Sequence, residues 1–325
     1  MIGLRGWGQV SATGQGIATL VEAKPVITPR AVKTAFGERE ILTYTCAEVT
    51  LPASVPEPVA RRMSRLSKMA LAAVDEAIRD AFPSGLEDTS RLGLAVGTAF
   101  GAFDLANAFQ KRIYVEGAIG ASPSLFAASV QNSIASQISA AYKIHGPCTT
   151  VMTMEHTALN TLRAAYDWIE AGAVDHAVVV IGDEVSDYMA YTLAHQPASR
   201  ALNPTRDEFT MIAGEGAVAL VLSRANPRVK IAELAIHAEK PPAVERFFTA
   251  ACGMKNQHGR YTAWLGGHAA TSHAALYGGL ITGAAFETLL AALAVRDDGQ
   301  PTAVVQLSAK VSDRDEAQFL VLSPP

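Results

Sequence analysis

Charge is scarce in this 325-residue chain: 18% of its residues are Asp, Glu, Lys or Arg, against roughly 25% in an average soluble domain. The 27 basic and 31 acidic residues leave a net charge of −4. There is no basic block, and recognition of a phosphate backbone leans on dense Lys and Arg, so a dedicated nucleic-acid binder is disfavoured. Cysteine is scarcer still. Cys46, Cys148 and Cys252 stand far apart with no CxxC pair, which argues against a disulfide framework and a zinc site. No run reaches the roughly 18 uninterrupted apolar residues of a membrane helix. The opening MIGLRGWGQVSATGQG breaks into glycines before it could form the apolar stretch of a signal peptide. The expectation is a cytoplasmic protein without a membrane span. What the chain has in quantity is apolar residues, 49% of the total. That balance excludes a largely disordered chain. At roughly 150 residues per domain it predicts one large domain or two.

Periodicity predicts alternating strands and helices. Residues 2–10 read as a first strand, and the Pro-punctuated residues 24–60 as irregular structure with short strands. Over 61–82 the residues Met63, Leu66, Ala70, Val74, Ala77 and Ala81 recur at steps of three or four, which predicts an amphipathic helix. A strand is expected at 92–97, then a polar-aromatic stretch to 124, a helix over 126–142, a strand near 147–154 and a helix over 156–171. Residues 177–181 (AVVVI) and 217–222 (AVALVL) are apolar throughout, as strands covered on both faces are. Beyond Asn226-Pro227 the pattern restarts with a strand at 229–236. Residues 240–280 have no clear assignment. A helix over 282–295 and strands at 303–307 and 318–322 close the chain. Alternation of this kind predicts α/β layers.

The common site motifs are missing: no GxxxxGK[ST], no full GxGxxG after a strand, no HExxH and no GxSxG. His268 and His273 are five apart, on different faces of any helix, so a shared metal is not expected. The informative stretch is GPCTTVMTMEHTALNTLRAAYDWIEAGAVDHAVVVIGDE, residues 146–184. It reads strand, tight turn, helix, strand, with Glu155 and His156 at the turn. A cysteine there would have its thiolate favoured by the positive end of the helix and would be a nucleophile. A glutamate there is a stabilised carboxylate. An ion pair between Glu155 and His156 is a simpler expectation than a catalytic dyad.

This stretch resembles the active-site region of the β-ketoacyl synthases, a family with the thiolase-like fold. The likeness rests on Gly146, Pro147, Thr150, Val151, Thr153, Leu159, Asn160 and Leu162, then Ile169, Gly172, Asp175, Gly182 and Glu184. It extends to the predicted helix at 61–81, to Gly97, Thr98, Gly101, Ser122-Pro123, Phe126, Ser129-Val130 and Asn132, and to Gly214-Glu215-Gly216-Ala217. The resemblance implies an α/β, layered α-β-α-β-α fold with two related halves. Residues 1–226 would form the ketosynthase-like first half and residues 227–325 a shortened second half.

The departures from the family pattern carry the functional expectation. Glu155 stands where the resemblance puts the nucleophilic cysteine. A carboxylate is a poor acyl acceptor, because the product would be a high-energy anhydride. The family's two histidine motifs are missing as well. The segment 277–287 (YGGLITGAAFE) resembles one of them, and its histidine position falls on Gly278 or Leu280. His237, His258, His268 and His273 remain in that half without the motif. The resemblance therefore implies a subunit of the chain-length-factor type, without catalytic residues, metal or cofactor of its own. It would pair with an active β-ketoacyl synthase through the strand near Glu155 and serve a chain held on acyl carrier protein. Phe103, Phe109, Ile113 and Tyr114 would then face the shared acyl tunnel, or be ordinary core. Two rival readings stay open: an acyl-thioester enzyme using Glu155 and His156 for decarboxylation or condensation, and a structural homodimer that binds acyl chains.

Overall fold

The computed structural model describes residues 1–22, 24–34, 37–86, 88–195, 212–251, 257–308 and 316–325. Strand β1 (Gly3–Ser11) leads through β2 (Gly14–Gln15) and α1 (Ile17–Glu22) to a hairpin, β3 (Ile27–Thr34) and β4 (Gly37–Tyr44). Then come α2 (Glu57–Ala60), α3 (Arg65–Ala81), β5 (Leu92–Gly97), α4 (Phe103–Glu116), α5 (Pro123–Ser129), α6 (Ser133–Tyr142) and β6 (Cys148–Val151). Next are α7 (Thr157–Glu170), β7 (His176–Asp183), α8 (Asp187–His195) and β8 (Gly216–Ser223). The remainder runs β9 (Val229–Ala238), β10 (Arg246–Thr249), α9 (Gln257–Trp264), β11 (Ala270–Thr271), α10 (Ala274–Tyr277), α11 (Ala284–Asp298), β12 (Thr302–Leu307) and β13 (Ala317–Ser323).

The sheet order β11-β10-β12-β13-β9-β1-β8-β7-β5-β6 contains one pattern twice. Taken from the outer edge inward, β6-β5-β7-β8-β1 and β11-β10-β12-β13-β9 have the same connectivity. In each, the first two contacts are parallel and the next two antiparallel. This is the pair of related halves that the resemblance implies. A short antiparallel contact between Gly3-Leu4 and Val229-Lys230 joins them.

The layers follow from alternation along the strands. Ala177, Val179 and Ile181 of β7 face a core shared with α7, α11, β12 and β13. Val178 and Val180 face the opposite way, onto α3 and α6. Helices α7 and α11 thus lie in the middle of the molecule. Nearly every residue of α11 is buried, from Ala284 to Val295; a helix covered on all sides cannot show an amphipathic stripe. On the far face of the second half's strands, Tyr261 and Leu265 pack with Phe247, Val305 and Phe319. Helix α3 sits very close to β1, because Gly6 and Gly8 face it. A Cβ on Gly8 would lie 2.3 Å from the Ala73 carbonyl oxygen.

Several elements differ from expectation. The helix expected from 61 begins at Arg65, because the Ser64 hydroxyl accepts the Ser67 N–H at 3.0 Å and caps it there. The helix expected over 126–142 is two, α5 and α6, separated at Val130 by extended backbone. The stretch after residue 103 is helical to Glu116 but fully buries no residue, so it shows no apolar period. Residues 24–60 include a regular hairpin of two eight-residue strands.

Candidate functional site

The turn after β6 is built by three polar side chains. Thr153 N–H donates to Thr157 Oγ1 at 3.0 Å, and Asn160 Nδ2 donates to Thr153 Oγ1 at 2.9 Å. Gln318 Nε2 of β13 donates to Asn160 Oδ1 at 3.0 Å, tying the turn to the second half. Met154 has φ 51°, a left-handed conformation that costs a non-glycine residue roughly 1–2 kcal/mol. The chain then makes one 3₁₀ turn, Met154–His156, and enters α7. Strand, tight turn and helix N-terminus are therefore as expected, with Glu155 and His156 on the turn.

The two side chains do not form the expected ion pair: no salt bridge joins them among the described residues. Both are half-buried. His156 is held below its ordinary pKa by burial, against a backbone hydrogen bond with Glu316 and the charge of Glu155. The imidazole engages the backbone of Glu316, just ahead of β13, rather than its neighbour, and its Nε2 is buried with no protein partner. Burial favours the neutral imidazole, which has no charge to give Glu155.

The second half places no ionisable group at the expected histidine position. Leu280 is core, 2% exposed, and Gly278 lies against the Tyr44 ring with φ 80°. His237, His258 and His268 are exposed. His273 is different. Its Nδ1 lies 2.7 Å from Glu287 Oε2, its backbone N–H donates to Oε1 at 2.7 Å, and Tyr277 Oη–H donates to Oε1 at 2.7 Å. Glu287 is fully buried. Among the described residues no group of three His, Cys, Asp or Glu side chains could hold a metal. No described helix is long and apolar enough to cross a membrane. Cys46 is buried and Cys148 exposed; Cys252 lies outside the described residues.

The four aromatic and aliphatic candidates all lie on α4. Phe103 packs edge-on against Tyr188, with ring centroids 6.1 Å apart, and Phe109 against Phe126 at 5.4 Å. Ile113 is 38% exposed and Tyr114 91%. With Val115, Ile119, Phe126, Met152 and Met154, Ile113 and Tyr114 belong to the large exposed apolar side chains of α4, the following turn, α5 and the turn after β6. β6 itself is the outermost strand of its sheet.

Sequence reasoning passed over a buried carboxylate network beside this region. Arg65 grips Glu215 with Nε at 2.8 and 2.9 Å and Nη2 at 2.6 Å, while Cys46 N–H donates to Glu215 Oε1 at 2.9 Å. At the end of β7, Asp183 accepts hydrogen bonds from Thr98 Oγ1, Ala99 N–H, Phe100 N–H and Thr282 Oγ1. Burial still pushes its pKa up to about 6. The adjacent Glu184 is pushed up to about 7, chiefly by burial. The available signal was a charged pair ending an apolar strand, where every neighbour is already committed to core.

Comparison with known proteins agrees with this geometry. Residues 53–227 match the family description "Beta-ketoacyl synthase, N-terminal domain". The chain belongs to the β-ketoacyl synthase family. It is 27% identical over 177 residues to the 3-oxoacyl-[acyl-carrier-protein] synthase 2 of Staphylococcus aureus, covering 50% of this chain and 43% of that synthase. The match therefore spans less than half of that relative's length. A β-ketoacyl synthase structure from Burkholderia phymatum superposes with TM-score 0.80 at 15% identity, covering 100% of this chain and 99% of that one. The ishigamide ketosynthase/chain length factor superposes with TM-score 0.75 at 18% identity, covering 99% of each chain. At such identities the two structures establish the thiolase-like fold.

Proposed function

We propose that this chain is a catalytically silent ketosynthase-like subunit. It pairs with an active β-ketoacyl synthase, shapes the tunnel for the growing acyl chain, and works on chains carried by acyl carrier protein in the cytoplasm, in polyketide, polyene or fatty-acid synthesis. The observation that carries this reading is Glu155 on an intact strand–turn–helix elbow, where the family resemblance puts the nucleophilic cysteine. A carboxylate there cannot hold an acyl group as a stable thioester equivalent. The turn is preserved while the group that would make it reactive is absent, which favours a scaffold over a catalyst.

Pairing is supported by the surface. No residue of helix α4 is fully buried, and Tyr114 and Val115 at its end stand exposed, while β6 leaves one edge of the sheet unpaired among the described residues. Unpaired edges and contiguous apolar patches invite a partner. Phe109, Ile113 and Tyr114 would reach a tunnel wall only when a second chain lies against α4. The ishigamide ketosynthase/chain length factor is a relative in fold whose description joins those two roles. We place the junction of the two halves at Asn226-Pro227, between β8 and β9.

The enzyme reading has one observation in its favour, the unpartnered Nε2 of His156 beside Glu155. The lack of a Glu155–His156 ion pair counts against a dyad. The test is co-expression with a Cys-His-His synthase encoded beside this chain, then co-purification and a condensation assay with and without this subunit. A stable pair whose product length depends on this chain is expected. A chain that condenses acyl thioesters unaided would overturn the proposal.

A further inference from the structure

Between β4 and α3 the chain forms a strap, residues 45–60, whose Val49, Leu51 and Val55 pack against the core cluster that includes α3. Its course is fixed at three points. Cys46 N–H donates to Glu215 Oε1 at 2.9 Å, and Arg65 Nη2 donates to the Cys46 carbonyl. Thr50 N–H donates to Gln15 Oε1 at 2.9 Å, and Gln15 Nε2 donates back to the Thr50 carbonyl at 3.2 Å. Val55 N–H closes a turn on the Pro52 carbonyl at 3.0 Å. Between this strap and α3 lies a cleft of about 690 Å³, inside the roughly 300–1,000 Å³ of small-molecule sites. We propose that the cleft binds a small amphipathic anion, an aliphatic chain ending in a carboxylate.

The lining brings apolar and cationic groups together. Leu51 and Val55 of the strap face the cleft from one side. From the other, Arg65, Lys68 and Met69 of α3 all line it; at i, i+3 and i+4 they share one helix face. Met69 is 1% exposed and extends the apolar wall inward.

The charges select the head group. Arg61 and Glu57 pair with each other at 3.0 Å on the exposed rim. Arg65 is spent on Glu215 through Nε and Nη2, and its Nη1 stays free among the described residues. Lys68 is half-buried and takes part in no ion pair among the described residues. An ammonium partly withdrawn from water beside apolar surface gains from a carboxylate within hydrogen-bond reach. Glu48, exposed and also without an ion pair among the described residues, is the lining charge that opposes an anion. A neutral chain leaves Lys68 unanswered, and a short hydrophilic anion leaves the apolar wall uncovered. The site belongs to this chain alone and does not rest on the function proposed above.

Calorimetric titration of the full chain with octanoate tests it. Acetate, the head without the chain, and 1-octanol, the chain without the charge, are the controls. One saturable octanoate site is expected, with both controls at least about tenfold weaker. Lys68→Met keeps the apolar stem of the side chain and should weaken octanoate at least about tenfold, through loss of a charged hydrogen bond. Glu48→Gln removes the opposing charge and should tighten binding. Should Lys68→Met fail to fold, Val55→Asp serves: a carboxylate in the apolar wall should weaken octanoate by a similar factor. Absence of saturable octanoate binding overturns the proposal. So does an affinity that folded Lys68→Met leaves within about threefold of wild type. Uptake at the α4 surface would give that last result, with Tyr114→Asp rather than Lys68→Met weakening octanoate.

Discussion

Tyr114→Asp probes whether the α4 surface is an interface. The side chain is 91% exposed in the isolated chain, so its replacement should change the stability of that chain by no more than about 0.5 kcal/mol. An aromatic side chain buried at an interface hides roughly 150–250 Å². At about 25 cal/mol per Å², that is a gross contribution of roughly 4–6 kcal/mol. Ordering and desolvation take back much of it, and a residue at the centre of an interface typically costs about 2 kcal/mol or more when lost. Affinity for the partner synthase should therefore fall at least ~30-fold. Calorimetric titration of the partner and a thermal melt of the variant alone give the two numbers. A melting temperature several degrees lower would mean that Tyr114 belongs to this chain's own core. An affinity within about threefold of wild type, with the melt unchanged, would remove α4 from the interface.

Three further outcomes are expected. Glu155→Ala in the assembled complex should leave the condensation rate within about threefold, whereas loss of a true general acid or base costs roughly 10²–10⁴-fold. Leu162→Ala, in the fully buried middle layer, should destabilise the chain by about 2–5 kcal/mol in urea unfolding without touching any group assigned a chemical role. Stability should fall as pH rises from about 4.5 to 7, because folded Glu184 and Asp183 bind protons more tightly than the unfolded chain does. His156, held low by burial, acts with opposite sign and costs stability as pH falls below about 6.5. Denaturation midpoints across pH 4–9 for wild type and Glu184→Gln separate the two. A smaller decline between about pH 4.5 and 7 in the glutamine variant, where Asp183 keeps its share, is the expected pattern, and a decline of the same size in both would refute the assignment to Glu184.

The buried strands were the most legible part of the sequence. AVVVI and AVALVL lie in the middle of a sheet covered on both faces, where every position is apolar and no period competes. The expected strand at 92–97 matches β5, and the helix at 61–82 differs from α3 only at its ends, where Ser64 caps the first turn. Helix α4 was not legible, because periodicity reports burial and no residue of α4 is fully buried in this chain alone. The break between α5 and α6 had only the local sequence around Val130 to announce it. Residues 240–280 hold short elements, a four-residue strand and a two-residue strand among them, too short for any pattern to establish itself. At the site, the turn carrying Glu155 was readable from the sequence, since strand, turn and helix adjoin along the chain. The placing of His156 beside Glu316, the His273–Glu287 pair and the bond from Leu66 to Glu184 all join residues apart in sequence. No local signal encodes them.

Intact-mass measurement after incubation with malonyl- or acyl-loaded acyl carrier protein, alone and beside the partner synthase, tests catalytic silence most directly. The account predicts an unmodified mass for this chain in both mixtures and an acyl adduct on the partner's cysteine. A stable acyl adduct on any residue of this chain, Cys148 and Cys252 included, would contradict it.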